Sequence, residues 1–400
     1  MRMTMNATAL QFGIYRDGLN NLDHVQASVI GQALETSKTD PTIAFNIEDT
    51  TARRGLEPEG VARTEFSEVR GGDLVATHLE HPHEMSSRAD LAAFVAATLD
   101  KAEANGAKQT WIDLVDHGCG DGGGLETSAG IMSMPDIAGA IADGARQHAQ
   151  AHPEDMGRQV DGVVANQCLM ATLAFTSALS DAGVKFLAAS PETMIAPGVS
   201  SSVAHAIAAH ETDPLAMGKA VVADTMKTTY GNDSLHWSPA AAFDVIDCDP
   251  SRVVTMERAV RDLNGALIAA SSDSTMQKAI RKDANSVDGF TRHFPSPTPW
   301  LADRPAIALY QAFAADTTLS QAVRKSAASA VDAVKSLVVA HGESAKFEPF
   351  GGVDYRDAVG PSVHFPTNAA EYDPWAPKVS ETNNAFYNAV DGSRLAHAIA

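Results

Sequence analysis

Two segments of this 400-residue chain carry side chains suited to nucleophilic chemistry. In the first, the apolar run Trp111-Ile-Asp-Leu-Val leads into Asp116-His117-Gly118-Cys119-Gly120-Asp121, a glycine-rich polar loop with an imidazole near its start. In the second, Gly162-Val-Val-Ala ends in Asn166-Gln167-Cys168-Leu169-Met170, a thiol followed by a helical pattern. Each apolar run reads as a strand, and ligands of open parallel sheets sit beyond the carboxyl ends of strands. The two motifs thus deliver an imidazole and a thiol to one sheet edge. There the thiol can attack an acyl carbon while the imidazole moves the proton. At a strand-to-helix junction Cys168 is expected to feel the positive end of a helix dipole, which favours thiolate. Glycines beside His117 allow close backbone approach and present N–H groups.

Each motif also has a purely structural reading. A cysteine ending an apolar strand is commonly a small buried hydrophobe, and a histidine before glycines a turn residue; their joint placement favours chemistry. Cys119 competes with Cys168 for the nucleophile role but has no following helix to stabilise a thiolate. Cys248 lies between Asp247 and Asp249, whose carboxylates would raise its pKa. Three cysteines form no paired disulfide framework, and their spacing matches no zinc pattern. Another cluster, His78-Leu-Glu80-His81-Pro82-His83-Glu84, holds zinc-type ligands. Pro82 breaks any helix that would align His78 with His81, so the segment reads first as a solvated loop.

Around these motifs the first half alternates strands and helices, the signature of a mostly parallel sheet. Expected strands cover residues 10–15, 42–47, 73–77, 110–115, 162–165 and 185–189. Leu91, Phe94, Val95 and Leu99 form one helical stripe with Ser87 as N-cap. Further helices fit 138–149 and 169–179. The second half has Ala-rich helical patterns at 204–210, 215–226, 252–270 and 320–340, and strands at 242–246 and near 362–365. Residues 292–305, dense in Pro and Ser, read as a surface loop. The division is residues 1–202 as a catalytic domain and 203–400 as a region of mixed helices and strands that completes the fold.

A hydrophobic content of 44% is that of a globular protein with material for a core. No apolar run approaches the roughly 18 residues that span a bilayer. The N-terminal residues lack an apolar targeting core and a cleavage site, so a cytoplasmic location is expected. The formal charge of −20 argues against nucleic acid and anionic membrane as partners. It serves solubility, or else attraction of cationic substrates or calcium. A monomer acting on protein or peptide is expected.

The chain resembles the clostripain family of cysteine peptidases, relatives of caspases, legumains and gingipains. The resemblance rests on His117-Gly-Cys-Gly120, Asn166-Gln-Cys168-Leu-Met170, Ala189-Ser190-Pro191-Glu192 and Pro197-Gly198. It extends to Asn20-Asn21-Leu22 near the start, then to Val245-Ile246-Asp247 and Gly360-Pro-Ser-Val-His-Phe365-Pro366. It implies a caspase-like three-layer α/β sandwich with a central, mostly parallel sheet. It also implies peptide-bond hydrolysis through a thioester acyl-enzyme, with Cys168 as nucleophile and His117 as general acid/base. The backbone N–H groups of Gly118 and Cys168 would form the oxyanion hole.

Asn166, Ser190, Glu192 and Val199 fall at substrate-pocket positions of that pattern. Family members that cut after Arg or Lys carry acids where this chain has Asn166 and Val199. A cation buried without a countercharge is costly, so selectivity for Arg or Lys is not expected. No cofactor is required and no metal is assigned to the site. Some relatives depend on calcium, and Asp116, Asp121 and Glu126 are candidate oxygen ligands for it. Residues 125–160, with Arg146 and Arg158, are where such relatives are often cleaved for activation. The alternatives are a caspase-like binding protein without catalysis, and a metal-dependent hydrolase using His78, His81 and His83.

Overall fold

The computed structural model describes residues 8–26, 28–51, 63–80, 84–127, 130–194, 198–230, 242–287, 289, 302–343, 359–372 and 385–399. Its strands are β1 (Leu10–Gly18), β2 (Ile43–Thr51), β3 (Arg63–Arg70), β4 (Asp73–Glu80), β5 (Gln109–Val115), β6 (Gly124–Thr127) and β7 (Gly130–Met132). β8 (Gly162–Asn166), β9 (Phe186–Ala189), β10 (Ala242–Asp247), β11 (Asp303–Pro305), β12 (Val338–Glu343) and β13 (Ser362–His364) follow. A nine-stranded sheet runs in the order β12-β10-β9-β8-β5-β1-β2-β3-β4. The block β9-β8-β5-β1-β2 is parallel throughout. β3 and β10 run against it, so β4 and β12 point with the block again. The sheet is mostly parallel, as expected, with a mixed edge on each side.

Alternating strand residues feed two separate cores, as the two-residue period of a strand requires. Ile112, Leu114, Val163 and Ala165 face one cluster, whereas Trp111, Val115 and Val164 face the other. The first cluster is covered by α1 (Arg88–Asn105), α2 (Met134–Ala151), α3 (Leu173–Asp181), α4 (Pro250–Ser271), α5 (Ala306–Ala315) and α6 (Gln321–Lys335). The second is covered by the helices Val29–Thr39, Val203–Ala209 and Pro214–Thr225. Burial on both faces explains why the central strands are nearly continuous apolar runs. This is the three-layer sandwich, and β10 and β12 show residues beyond 203 completing its sheet.

Several boundaries differ from the sequence reading. α3 begins at Leu173 rather than at 169, because Leu169 takes a left-handed φ of 66° and the Thr172 side chain caps Phe175 N–H at 3.0 Å. α6 stops at Lys335, and the β-branched pair Val338-Val339 continues into β12 instead of helix. The strand Arg63–Arg70 is one the sequence reading omits, since few of its residues are apolar. The expected loop 292–305 lies outside the described residues up to 301, and its last residues form β11. Among the described residues no helix is long and apolar enough to cross a membrane.

Candidate active site

β5 and β8 are parallel neighbours, with Val115 paired to Asn166, so His117 and Cys168 both follow the same sheet edge. Their loops are tied together directly. Asp116 N–H donates to the Asn166 carbonyl at 3.4 Å, and Gln167 Nε2 donates to the His117 carbonyl at 3.0 Å. Gly118 packs so tightly on the thiol-bearing turn that a Cβ there would lie 2.2 Å from the Cys168 carbonyl oxygen. Only glycine fits where the two backbones come this close. Gly118 also bridges to Gly124, closing the His loop against the hairpin β6-β7.

His117 is half-buried, and its Nε2 lies 2.6 Å from Asn21 Oδ1. An amide oxygen only accepts, so Nε2 carries the proton and the lone pair sits on Nδ1. Partial burial pulls the imidazole below its ordinary pKa, opposed by the Glu126 carboxylate. Asn20 continues this support, donating to Asp116 Oδ1 at 2.5 Å and to the Glu126 carbonyl at 3.2 Å. The sequence reading quotes Asn20-Asn21 only as a landmark; their offset of nearly a hundred residues from His117 hides the contact.

Cys168 is partly exposed, and its Sγ accepts from Met194 N–H at 3.3 Å. Burial pushes the thiol up to about 11; the Met194 N–H works against this, and the Glu192 and Asp116 carboxylates add to it. The expectation of a dipole-stabilised thiolate is therefore corrected. The helix starts five residues beyond the thiol with its own cap, and burial favours the protonated thiol.

The four positions expected at the substrate pocket are brought close to Cys168, but their polar atoms serve the scaffold. Asn166 Nδ2 donates to the Val199 carbonyl at 3.0 Å, and Val199 N–H donates to Asn166 Oδ1 at 2.8 Å. The Val199 side chain packs in the second core. Ser190 Oγ exchanges hydrogen bonds with the Glu192 backbone at 2.9 and 3.0 Å. Carbonyls of Glu192 and Ser190 in turn accept from Leu169 and Ala171 N–H, each at 3.0 Å, holding the thiol-bearing turn. The Glu192 carboxylate accepts from Thr193 N–H at 2.7 Å and from its hydroxyl at 2.5 Å.

Cys119 is buried within the His loop, with its N–H on the Gly123 carbonyl at 2.8 Å. Cys248 is fully buried, and that burial raises its pKa first, with Asp247 second; Asp249 instead caps α4. All three cysteines are free. Asp116 and Glu126 adjoin, the Glu126 N–H donating to Asp116, whereas Asp121 accepts from Tyr387 in another direction. The three candidate calcium ligands do not converge on one point. His78 stacks on Phe66 at 5.1 Å on β4, with β3, β2, β1 and β5 between it and β8. Its companions His81 and His83, like Pro197, lie outside the described residues.

No protein-family model matches the sequence, and no curated relative matches it. Similarity lies in the structure. A secreted C11 cysteine protease from Bacteroides thetaiotaomicron, "iotapain", superposes with a TM-score of 0.64 at 14% identity, covering 96% of this chain and 99% of that one. The fold is that of the C11, or clostripain, proteases. A secreted C11 cysteine protease from Bacteroides thetaiotaomicron in complex with an irreversible peptide inhibitor gives a TM-score of 0.64 at 13% identity over 96% and 99% of the two chains. An inactive zymogen C11 protease from Parabacteroides distasonis gives 0.63 at 14%, covering 96% and 98%. With 96% of this chain covered, the likeness extends to the C-terminal strands and helices as well as the parallel block.

Proposed function

We propose that this chain is a cysteine endopeptidase in which Cys168 attacks the scissile carbonyl and His117 manages the proton. The observation that carries the reading is the convergence of the two loops on one sheet edge, within a C11 protease fold. In the first step His117 Nδ1 takes the Cys168 proton as sulfur adds to the carbonyl carbon. The tetrahedral oxyanion is received by backbone N–H groups of Gly118 and Cys168. His117 then protonates the leaving amine, giving a thioester; water, deprotonated by His117, releases the acid and restores the thiol. These steps use thiol and imidazole alone and need no metal ion; rates with added calcium and with chelator check this.

Neutral residues are the proposed preference at the scissile position. Asn166 is occupied by Val199 and offers no charge, so a buried guanidinium would lose several kcal/mol of hydration without return. Fluorogenic peptides with neutral and basic scissile residues test both claims. Neutral ones should turn over at least as fast as Arg or Lys ones, and Cys168→Ala and His117→Ala should each abolish turnover. Activity surviving Cys168→Ala would end the reading, and loss of that activity on chelation would favour a metal-dependent hydrolase.

A further inference from the structure

At the sheet edge opposite Cys168, where α1 and α2 end, the described residues bring together five side chains with metal-binding atoms. Asp100 and Glu103 come from the last turns of α1, His148 from the last turn of α2, and His152 and Asp155 from the turn that follows. His148 is buried, and its Nδ1 lies 2.7 Å from Asp100 Oδ1. A carboxylate only accepts, so Nδ1 carries the proton and Nε2 the lone pair. That Nε2 is buried and makes no well-formed hydrogen bond, lying 3.5 Å from Asp155 Oδ2, an oxygen that also accepts from Arg158 Nε. The ligand atoms of Glu103, His148 and Asp155 all fall within 4.8 Å of one another. His152 stands behind them, its Nδ1 2.7 Å from Glu103 Oε2, its Nε2 3.4 Å from Asp100 Oδ1 and its ring stacked on His148 at 4.9 Å.

An unpartnered, buried imidazole nitrogen is costly in a folded protein unless something occupies it. A carboxylate behind the ring, with the far nitrogen facing other ligands, is the arrangement that fixes tautomer and direction at metal sites. One imidazole with two carboxylates, and water in the fourth position, suit a tetrahedral ion of borderline softness, whereas calcium and magnesium take oxygen ligands alone. We propose that Glu103, His148 and Asp155 bind one divalent ion of the zinc type, with Asp100 orienting His148 and His152 orienting Glu103. The ion would join α1, α2 and the turn between α2 and β8. Lying far from the thiol, it acts on stability rather than on turnover.

Zinc itself is the probe, titrated into the full-length Cys168→Ala chain against a chromophoric chelator, so that the exposed thiol takes no part. One equivalent should bind, and zinc should raise the melting temperature. His152→Gln and Asp100→Asn, both at partly exposed positions, should weaken binding by about 10–100-fold and abolish the zinc-dependent rise. Their metal-free melting temperatures should stay near that of the parent, and in the Cys168-containing chain His152→Gln should leave turnover unchanged. Cobalt(II) should give tetrahedral visible bands without a thiolate charge-transfer band. Undiminished affinity in both variants, no zinc bound at micromolar concentration, or a thiolate band from Cys119 or Cys248 would each overturn the site.

Discussion

In the proposed mechanism Asn21 is the side chain that sets the tautomer of His117. Its Oδ1, 2.6 Å from Nε2, leaves Nδ1 as the basic atom and fixes the orientation of the ring. Asn21→Ala frees the ring without touching the nucleophile. A misplaced catalytic group costs about 10²-fold, so kcat should fall by that factor with KM nearly unchanged; equal turnover would show that Asn21 only packs. The pH profile belongs with this residue. A base works only when deprotonated, and the His117 pKa lies below its ordinary 6.5, so activity should persist below that pH before it falls. His117 and Cys168 are legible in the sequence because each follows an apolar strand with distinctive neighbours. Asn21 is not, because its role exists only once β1 lies beside β5. The same holds for the Met194 N–H on sulfur, a backbone group with no side-chain signature.

The elements that position the site are read from sequence in proportion to their apolar content. The central strands, buried on both faces, announce themselves; the half-exposed strand Arg63–Arg70 does not. Turns are harder, since a left-handed residue is signalled only by glycine, and Leu169 is not glycine. This single residue removes the helix from Cys168 and with it the expected thiolate. Gly198 shows the opposite case. Its φ of 85° and a Cβ position only 2.0 Å from Asn166 Oδ1 make it the pivot of the Asn166–Val199 brace. Gly198→Ala adds about 1–2 kcal/mol of left-handed strain, besides displacing Asn166. Thermal melts should shift down with a parallel drop in kcat/KM, and an unshifted melt would mean that the brace is dispensable. Around Arg146 and Arg158 the chain is likewise structured, with Arg146 on α2 and Arg158 donating to the Ala107 carbonyl at 2.9 Å, so cleavage at either would require local unwinding.

Over the whole molecule, buried carboxyls shape the pH dependence of stability. Burial raises Asp116 and Asp303 to about 8, Asp121 to about 7 and Asp17 to about 6, against 3.8 as the ordinary value. These four groups therefore bind more protons in the folded chain than in the unfolded chain up to about pH 8, and their contribution to stability falls as pH rises through that range. His364, lowered by burial to about 3, opposes them only below about 6.5. Asp121 and Asp303 form a network with Tyr387 and His364, which ties the His117 loop to the C-terminal helix Ala385–Ala389. Melting temperatures at about pH 6.5 should exceed those at about pH 8.5; the reverse order would show these groups ionised in the fold. None of this network is visible in sequence, since it joins residues more than 250 apart that belong to no local pattern.

The most direct test of Cys168 as the nucleophile is to label the active full-length chain with an irreversible, thiol-directed peptide inhibitor and map the adduct by mass spectrometry. One adduct per chain on the peptide containing Cys168 is predicted, forming in step with loss of activity and much more slowly in His117→Ala. Adducts on Cys119 or Cys248, with Cys168 unmodified in the inactivated protein, would contradict it.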